Sequence, residues 1–194
     1  MSSFINGLIL AGGSSSRMGR DKSMIDVHGM PQWKYSLEIL SEFCENTWIS
    51  LRPNHILKDV PEDQIIIDQY ENMGPIAGIL SAFEFDKETA WLTLACDLPL
   101  VDEQLLEQLI FARNQDKIAT AFWENTKDFP EPLICIWEPK AFHLISEKVS
   151  SGIKSPGKIL IDCDANFIEP LSSKALLNLN YPEDLEIVRE IINR

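Results

Sequence analysis

Two glycines and two cations, Gly12-Gly13 with Arg17 and Lys22, follow directly on an apolar run that ends at Leu10. Glycines let the backbone come within hydrogen-bonding distance of an anion with no Cβ in the way, and successive N–H groups in such a turn form an anion-binding concavity. Arg17 offers a planar fork for two phosphate oxygens and Lys22 a mobile point charge. The chemistry this suits is the handling of nucleotide phosphates. Two familiar phosphate loops do not fit. A P-loop ends in Gly-Lys-Ser/Thr, whereas Gly157-Lys158 is followed by Ile159. A dinucleotide fingerprint needs Gly-x-Gly-x-x-Gly, and here the glycines fall at 12, 13 and 19. A surface turn after a buried strand would account for a Gly-Gly pair alone; the arginine and the lysine tip the reading towards a site. The Ser14-Ser15-Ser16 run fits equally a flexible loop or a hydroxyl on a phosphate.

Two carboxylates stand at comparable places. Asp97, in Ala95-Cys96-Asp97-Leu98-Pro99-Leu100, comes straight after the most apolar stretch of the chain. Beside phosphates a lone carboxylate repels; with Mg2+ between them it becomes an anchor. The competing reading is a turn residue bonded to nearby backbone N–H groups. Asp68 closes another strand-like run ahead of Gly74-Pro75, a helix start small enough for a ligand to approach. It would accept hydrogen bonds from a nucleotide or from its own loop, and the residues favour neither.

The elements that must position these groups alternate. Strand patterns cover Phe4–Leu10, Thr47–Leu51, Gln64–Asp68, Thr89–Cys96, Ile118–Trp123, Leu133–Trp137 and Asn166–Pro170. Helix patterns cover Pro31–Glu45, Gly74–Phe85, Asp102–Asn114 with Asp102 as N-cap, Lys140–Ser150, a short Ser155–Ile161 and Pro182–Ile192. The polar segment between the fifth and sixth strands reads as a lid or a hairpin. This order predicts an α/β fold with a mostly parallel, doubly wound sheet, with Thr89–Cys96 at its centre because that run lacks polar alternation. Ligands of such sheets sit beyond the carboxyl ends of the strands, where the Gly-Gly turn falls. If the first and fourth strands are neighbours, Asp97 faces that turn.

Composition narrows the class. At 194 residues, 45% hydrophobic and 24% charged, the chain is expected to form one domain over 1–194. A net charge of −13 with scattered cations argues against nucleic-acid binding. Cysteines at 44, 96, 135 and 163 lack Cys-x-x-Cys spacing and read as buried free thiols in a reducing compartment. With no basic leader and no long apolar stretch, the expectation is a cytoplasmic protein with no membrane partner. His28, His55 and His143 share no metal spacing and read as surface or packing residues, with His28-Gly29 shaping a turn. The tryptophans read as core, with Trp123 the exception beside the polar segment.

Taken in order, several segments resemble the molybdenum cofactor guanylyltransferase (MobA) family of nucleotidyltransferases, which have the GT-A-like, Rossmann-related fold. They are Leu8 to Gly13, Arg17-Met18-Gly19 with Asp21-Lys22, His28 to Pro31, Asp68 with Gly74 to Gly78, Cys96 to Pro99, Glu131-Pro132-Leu133, and Asn178 to Leu185. The resemblance implies a three-layer α/β/α domain of the nucleotide-diphospho-sugar transferase type. It implies transfer of GMP from GTP to molybdopterin or its molybdenum-loaded form, with release of pyrophosphate and a molybdoenzyme or its chaperone as possible acceptor of the product. By the same likeness Leu10, Ala11, Gly12 and Gly13 cradle the nucleotide and Lys22 contacts its phosphates, with Arg17 sharing the catalytic role. Asp68 helps to bind GTP, Asp97 holds Mg2+, and Asn178 and Asn180 lie near the pterin. Gly12 favours guanine, since related cytidylyltransferases commonly carry alanine there. A cytidylyltransferase for the same pterin, a sugar-phosphate nucleotidyltransferase and a nucleotide-binding regulator without turnover are the rival readings.

The chain departs from the family's pattern in three places. Where the family often presents an asparagine after the second strand, this chain has Ile49-Ser50-Leu51-Arg52-Pro53-Asn54, which leaves Arg52 or Asn54 as substitutes. The usual Thr-Pro-Glu becomes Tyr181-Pro182-Glu183, so Asn180 or Asp184 is expected to help cap the last helix. Few basic residues lie between 124 and 138, so pterin recognition there is expected to be different or weak.

Overall fold

Six consecutive residues of β1 (Ile5–Leu10) are buried, as are all six of β4 (Ala90–Ala95), and this is what a strand covered on both faces requires. The structure, a computed structural model, describes residues 4–13 and 21–193. Alternate side chains of β1 feed two separate cores, Ile5 and Ile9 on one face and Leu8 and Leu10 on the other. Helices α1 (Gln32–Ser41) and α3 (Glu103–Phe111) close the first face with Trp33, Leu40, Leu105 and Leu109. Helices α2 (Pro75–Phe85), α4 (Ala141–Ser150) and α5 (Pro156–Asp162) close the second with Ile76, Phe83, Ile145 and Leu160. The result is the expected three-layer arrangement.

The sheet adds β2 (Asn46–Leu51), β3 (Ile65–Ile67), β5 (Ala119–Glu124), β6 (Phe129–Trp137) and β7 (Asn166–Ile168), in the order β3-β2-β1-β4-β6-β5-β7. Among the described strands β6 alone runs against the rest. β4 takes the central place, and its register against β1 sets Leu10 opposite Ala95, so the two strands finish side by side. The chain builds outwards from β1 through β2 and β3, then returns to the other side of β1 with β4. That reversal opens a crevice at the carboxyl ends of β1 and β4, the place where such sheets take ligands.

Several element boundaries move, among them the end of α3, at Phe111 rather than Asn114, and the end of β7, at Ile168 rather than Pro170. α1 stops at Ser41, because the amides of Phe43 and Cys44 both turn back to the Leu40 carbonyl and Glu45 N–H bonds Ile5 O, feeding β2 early. Phe43 and Cys44 carry the apolar pattern on from this turn, which is why the helix reads longer in the sequence. The polar segment is a hairpin: β6 starts at Phe129, and a register shift opposite Ala121 and Phe122 accommodates the stretch around Pro132. Short 3-10 turns at Lys22–Met24, Glu62–Gln64 and Ser173–Leu176 have no periodic signature.

The capping expectations hold. Asp102 Oδ1 accepts from Leu105 N at 2.9 Å. Asp184 does the capping at α6 (Pro182–Ile192), its Oδ2 accepting from Asn180 N and Tyr181 N, both at 2.8 Å. All four cysteines are free, though Cys44 and Cys163 are half-buried rather than buried. Trp33, Trp91 and Trp137 are core residues, and Trp123 is half-buried with its ring edge on Phe167. Among the described residues no helix is long and apolar enough to cross a membrane.

Candidate active site

The crevice between β1 and β4 is a cleft of about 750 Å³. Leu10, Ala11, Gly12, Gly13, Lys22, Asp68 and Asp97 all line it, so the structure gathers every described residue assigned to the nucleotide. Arg17 and the Ser14-Ser15-Ser16 run lie outside the described residues. Asn178 and Asn180 line a second cavity of about 400 Å³.

Lys22 joins the two. Asp21 Oδ1 accepts from Ser23 N at 3.0 Å and from Ser23 Oγ at 2.7 Å, which caps the 3-10 turn and sets Lys22 at its head. Lys22 Nζ then donates to Asp97 Oδ2 at 3.3 Å and to Asn180 Oδ1 at 3.0 Å. Asn180 reaches this point because Leu179 N bonds Asp97 O at 2.8 Å, while Leu179, Leu185 and Val188 pack on Ile25 just past the turn. Three chain segments far apart in sequence are thereby fastened at one corner.

Burial pushes the Asp97 carboxyl above the usual carboxylate range, against the pull of the Lys22 charge. Its Oδ1 is buried and has no hydrogen-bond partner among the described residues, so part of its capacity as an anion is unused. Close by, Glu131 is 5% exposed and accepts from Leu133 N at 3.0 Å and from Asn178 Nδ2 at 3.2 Å. Burial raises the Glu131 carboxyl too, and the Asp97 charge adds to the rise. Asn178 is thus engaged with Glu131, while Asn180 is engaged with Lys22.

Asp68 faces the cleft from the end of β3. Its Oδ1 accepts from Ser50 Oγ at 2.6 Å, and burial raises its carboxyl while the Ser50 bond and the Arg52 charge oppose the rise. A Cβ on Gly12 would lie 3.2 Å from Asp68 Oδ2 and 3.1 Å from Arg52 Cγ. The glycine therefore meets a packing need of the cleft wall, besides any bearing on the size of a base. Gly78 of α2 meets another, since a Cβ there would collide with Ser50 Oγ and shift the hydroxyl that holds Asp68.

Several cleft residues escape motif reasoning. Arg52, Asn54 and His55, from the loop after β2, line the cleft where the family's asparagine was sought, and Arg52 Nη2 reaches Gly13 O at 3.4 Å. His55 is half-buried, with its Nε2 2.7 Å from Asp21 Oδ2. No local pattern marks it, although its place just past the carboxyl end of β2 could have drawn notice. His28 does pack, stacked on Tyr35 at 3.7 Å with Nε2 donating to Pro99 O at 2.7 Å, so it steadies the turn after Asp97. Lys127, with Lys174, lines the second cavity and supplies cationic charge to a stretch that reads as poor in it.

Comparison with known proteins agrees with this geometry. Residues 7–178 match the model of the MobA-like NTP transferase domain. A molybdenum cofactor biosynthesis bifunctional protein of Synechocystis sp. is 35% identical over 92% of this chain, and the chain spans about half its length, 52%. The molybdenum cofactor guanylyltransferase of Ectopseudomonas mendocina is 30% identical, covering 92% of this chain and 88% of its own. The molybdopterin-guanine dinucleotide biosynthesis protein A of Archaeoglobus fulgidus superposes with a TM-score of 0.76 over 97% of this chain and 98% of that one; at 22% identity the likeness speaks for the fold. With the Gly-Gly turn, Lys22 and Asp97 gathered at the switch point of a matching sheet, the chain belongs to the MobA-like NTP transferase domain family.

Proposed function

We propose that this protein is a nucleotidyltransferase that moves GMP from GTP to molybdopterin or its molybdenum-loaded form and releases pyrophosphate, acting in the cytoplasm. The observation that carries the reading is Lys22 Nζ bridging Asp97 and Asn180, which sets the nucleotide cleft and the second cavity edge to edge. The names of the relatives support the choice of substrates.

In this reading a terminal phosphate oxygen of the pterin forms a bond to the α-phosphorus of GTP in line, as the bond from that phosphorus to the bridging oxygen breaks and pyrophosphate departs. The Gly12-Gly13 turn cradles the phosphates, and Lys22, with Arg17, offsets charge on the leaving group. Asp68 orients the nucleoside end of the cleft, and Asn180 steers the acceptor phosphate towards Lys22. Among the described residues no three His, Cys, Asp or Glu side chains group as a metal site, so a cation here would rely on one protein carboxylate, substrate phosphates and water. That is the usual habit of Mg2+, and the unpartnered Oδ1 of Asp97 fits it. When bound, the ion would neutralise phosphate charge and polarise the phosphoryl oxygen.

A pyrophosphate-release assay with molybdopterin and each of GTP, CTP, ATP and UTP tests the reading. Release with GTP is expected to exceed release with the others by about ten-thousandfold, since a site built to hydrogen-bond one base leaves buried groups unpaired with another. Preference for CTP would move the assignment to a cytidylyltransferase. Binding of GTP without release would make the protein a regulator.

A further inference from the structure

We infer that His55 is a positioning residue, acting through Asp21 to hold the turn that aims Lys22 across the cleft. The inference rests on the proposed role of Lys22 at the phosphates. Asp21 takes hydrogen bonds on both carboxylate oxygens: Oδ1 caps the Lys22–Met24 turn through Ser23, and Oδ2 receives His55 Nε2 at 2.7 Å. An imidazole facing an ionised carboxylate at that distance carries its proton on Nε2 and donates. His55 Nδ1 is buried with no partner among the described residues, so Asp21 is the ring's one hydrogen-bond partner among them. The ring and the carboxylate are 16% and 33% exposed, shielded enough for the contact to outweigh a surface pair.

The loop that presents His55 is itself shaped locally. Asn54 takes a left-handed conformation, φ 66°, which asparagine tolerates, and His55 N bonds back to Arg52 O at 3.0 Å. Arg52 of the same loop reaches Gly13 O at 3.4 Å. One short turn after β2 therefore grips both Gly13 and Asp21. On its other side the Lys22 turn is held by Ile25 packing on Leu179, Leu185 and Val188. His55 supplies the tie from the β2 side, and without it Lys22 keeps its charge but its turn loses that tie.

Nucleotide affinity measured by calorimetry in a double-mutant cycle of His55→Ala with Lys22→Ala tests this. His55→Ala is expected to weaken GTP binding about tenfold, one charge-assisted hydrogen bond's worth of alignment, with kcat falling alongside. In the Lys22→Ala background the same change is expected to cost nothing further, because the residue acts through Lys22. His55→Gln, which keeps a neutral N–H donor, is expected to recover part of the loss. His55→Phe fills the ring's space without the donor and stands in if His55→Ala fails to fold. Wild-type affinity in the folded His55 variants, or an equal loss in both backgrounds, would overturn the inference. If Lys22→Ala itself binds GTP like wild type, the proposed role of Lys22 fails first, and the two failures are told apart.

Discussion

Asp97→Asn is expected to lower GMP transfer by about a thousandfold while leaving the fold intact and more heat-stable than wild type. In the proposed mechanism the loss follows from removing the carboxylate that would hold Mg2+ at the ends of β1 and β4, where preorganised charge stabilisation would be the largest catalytic contribution. The gain in stability follows from burial. Asp97 is raised above the ordinary carboxylate range in the folded protein, so folding disfavours its ionised form. A raised acid is at no disadvantage below its unfolded value, and its cost to stability grows as pH rises through the folded value. In metal-free buffer the melting temperature of Asp97→Asn should therefore exceed wild type near pH 7, by about 2–4 °C for each kcal/mol relieved. The difference should close as pH falls to about 4, where the unfolded aspartate itself protonates. Undiminished turnover at limiting Mg2+ would contradict the role given to Asp97, and a large fall in melting temperature would contradict its reading as a strained anion. Function held at the expense of stability is common at such sites.

Lys22→Ala is expected to weaken GTP affinity by about ten- to a hundredfold, a loss typical of one charge-assisted contact to phosphate. It should also change the pH dependence of turnover. Lys22 holds the Asp97 carboxyl down against burial, so its removal lets Asp97 rise further and the ionised form disappears at a higher pH. The acid limb of the rate profile should shift upwards in pH, and Lys22→Arg should shift it less, since the charge is kept. Unchanged calorimetric affinity together with an unmoved acid limb would remove Lys22 from the site.

Much of this site can be read from residue order because it stands at the ends of strongly apolar strands. Phe4–Leu10 and Thr89–Cys96 read as buried strands, and the residues that follow each, Gly12-Gly13 and Asp97, are pinned in space as soon as the strands pair. What is not legible comes from contacts that local periodicity does not encode. His55 and Asp21 are 34 positions apart and meet through a turn whose shape depends on one left-handed asparagine. Asn180 meets Lys22 across 158 positions, brought there by a single backbone hydrogen bond to Asp97 and by the packing of α6. The proline-interrupted start of β6 lies in the segment that reads as a lid or a hairpin; Pro130 and Pro132 cannot donate to a ladder, so its pairing with β5 around a register shift comes from the fold. Gly12 shows a subtler gap: its lack of a side chain is visible at once, but that Asp68 and Arg52 crowd it is a property of the fold.

The most direct test of the central claim follows phosphorus from a labelled nucleotide. Wild-type protein incubated with molybdopterin and either α- or γ-labelled GTP should carry the α label into the pterin product and the γ label into free pyrophosphate. Transfer of the γ label to the pterin, or release of γ label as orthophosphate with the α label left on GDP, would show that the cleft cleaves a different bond.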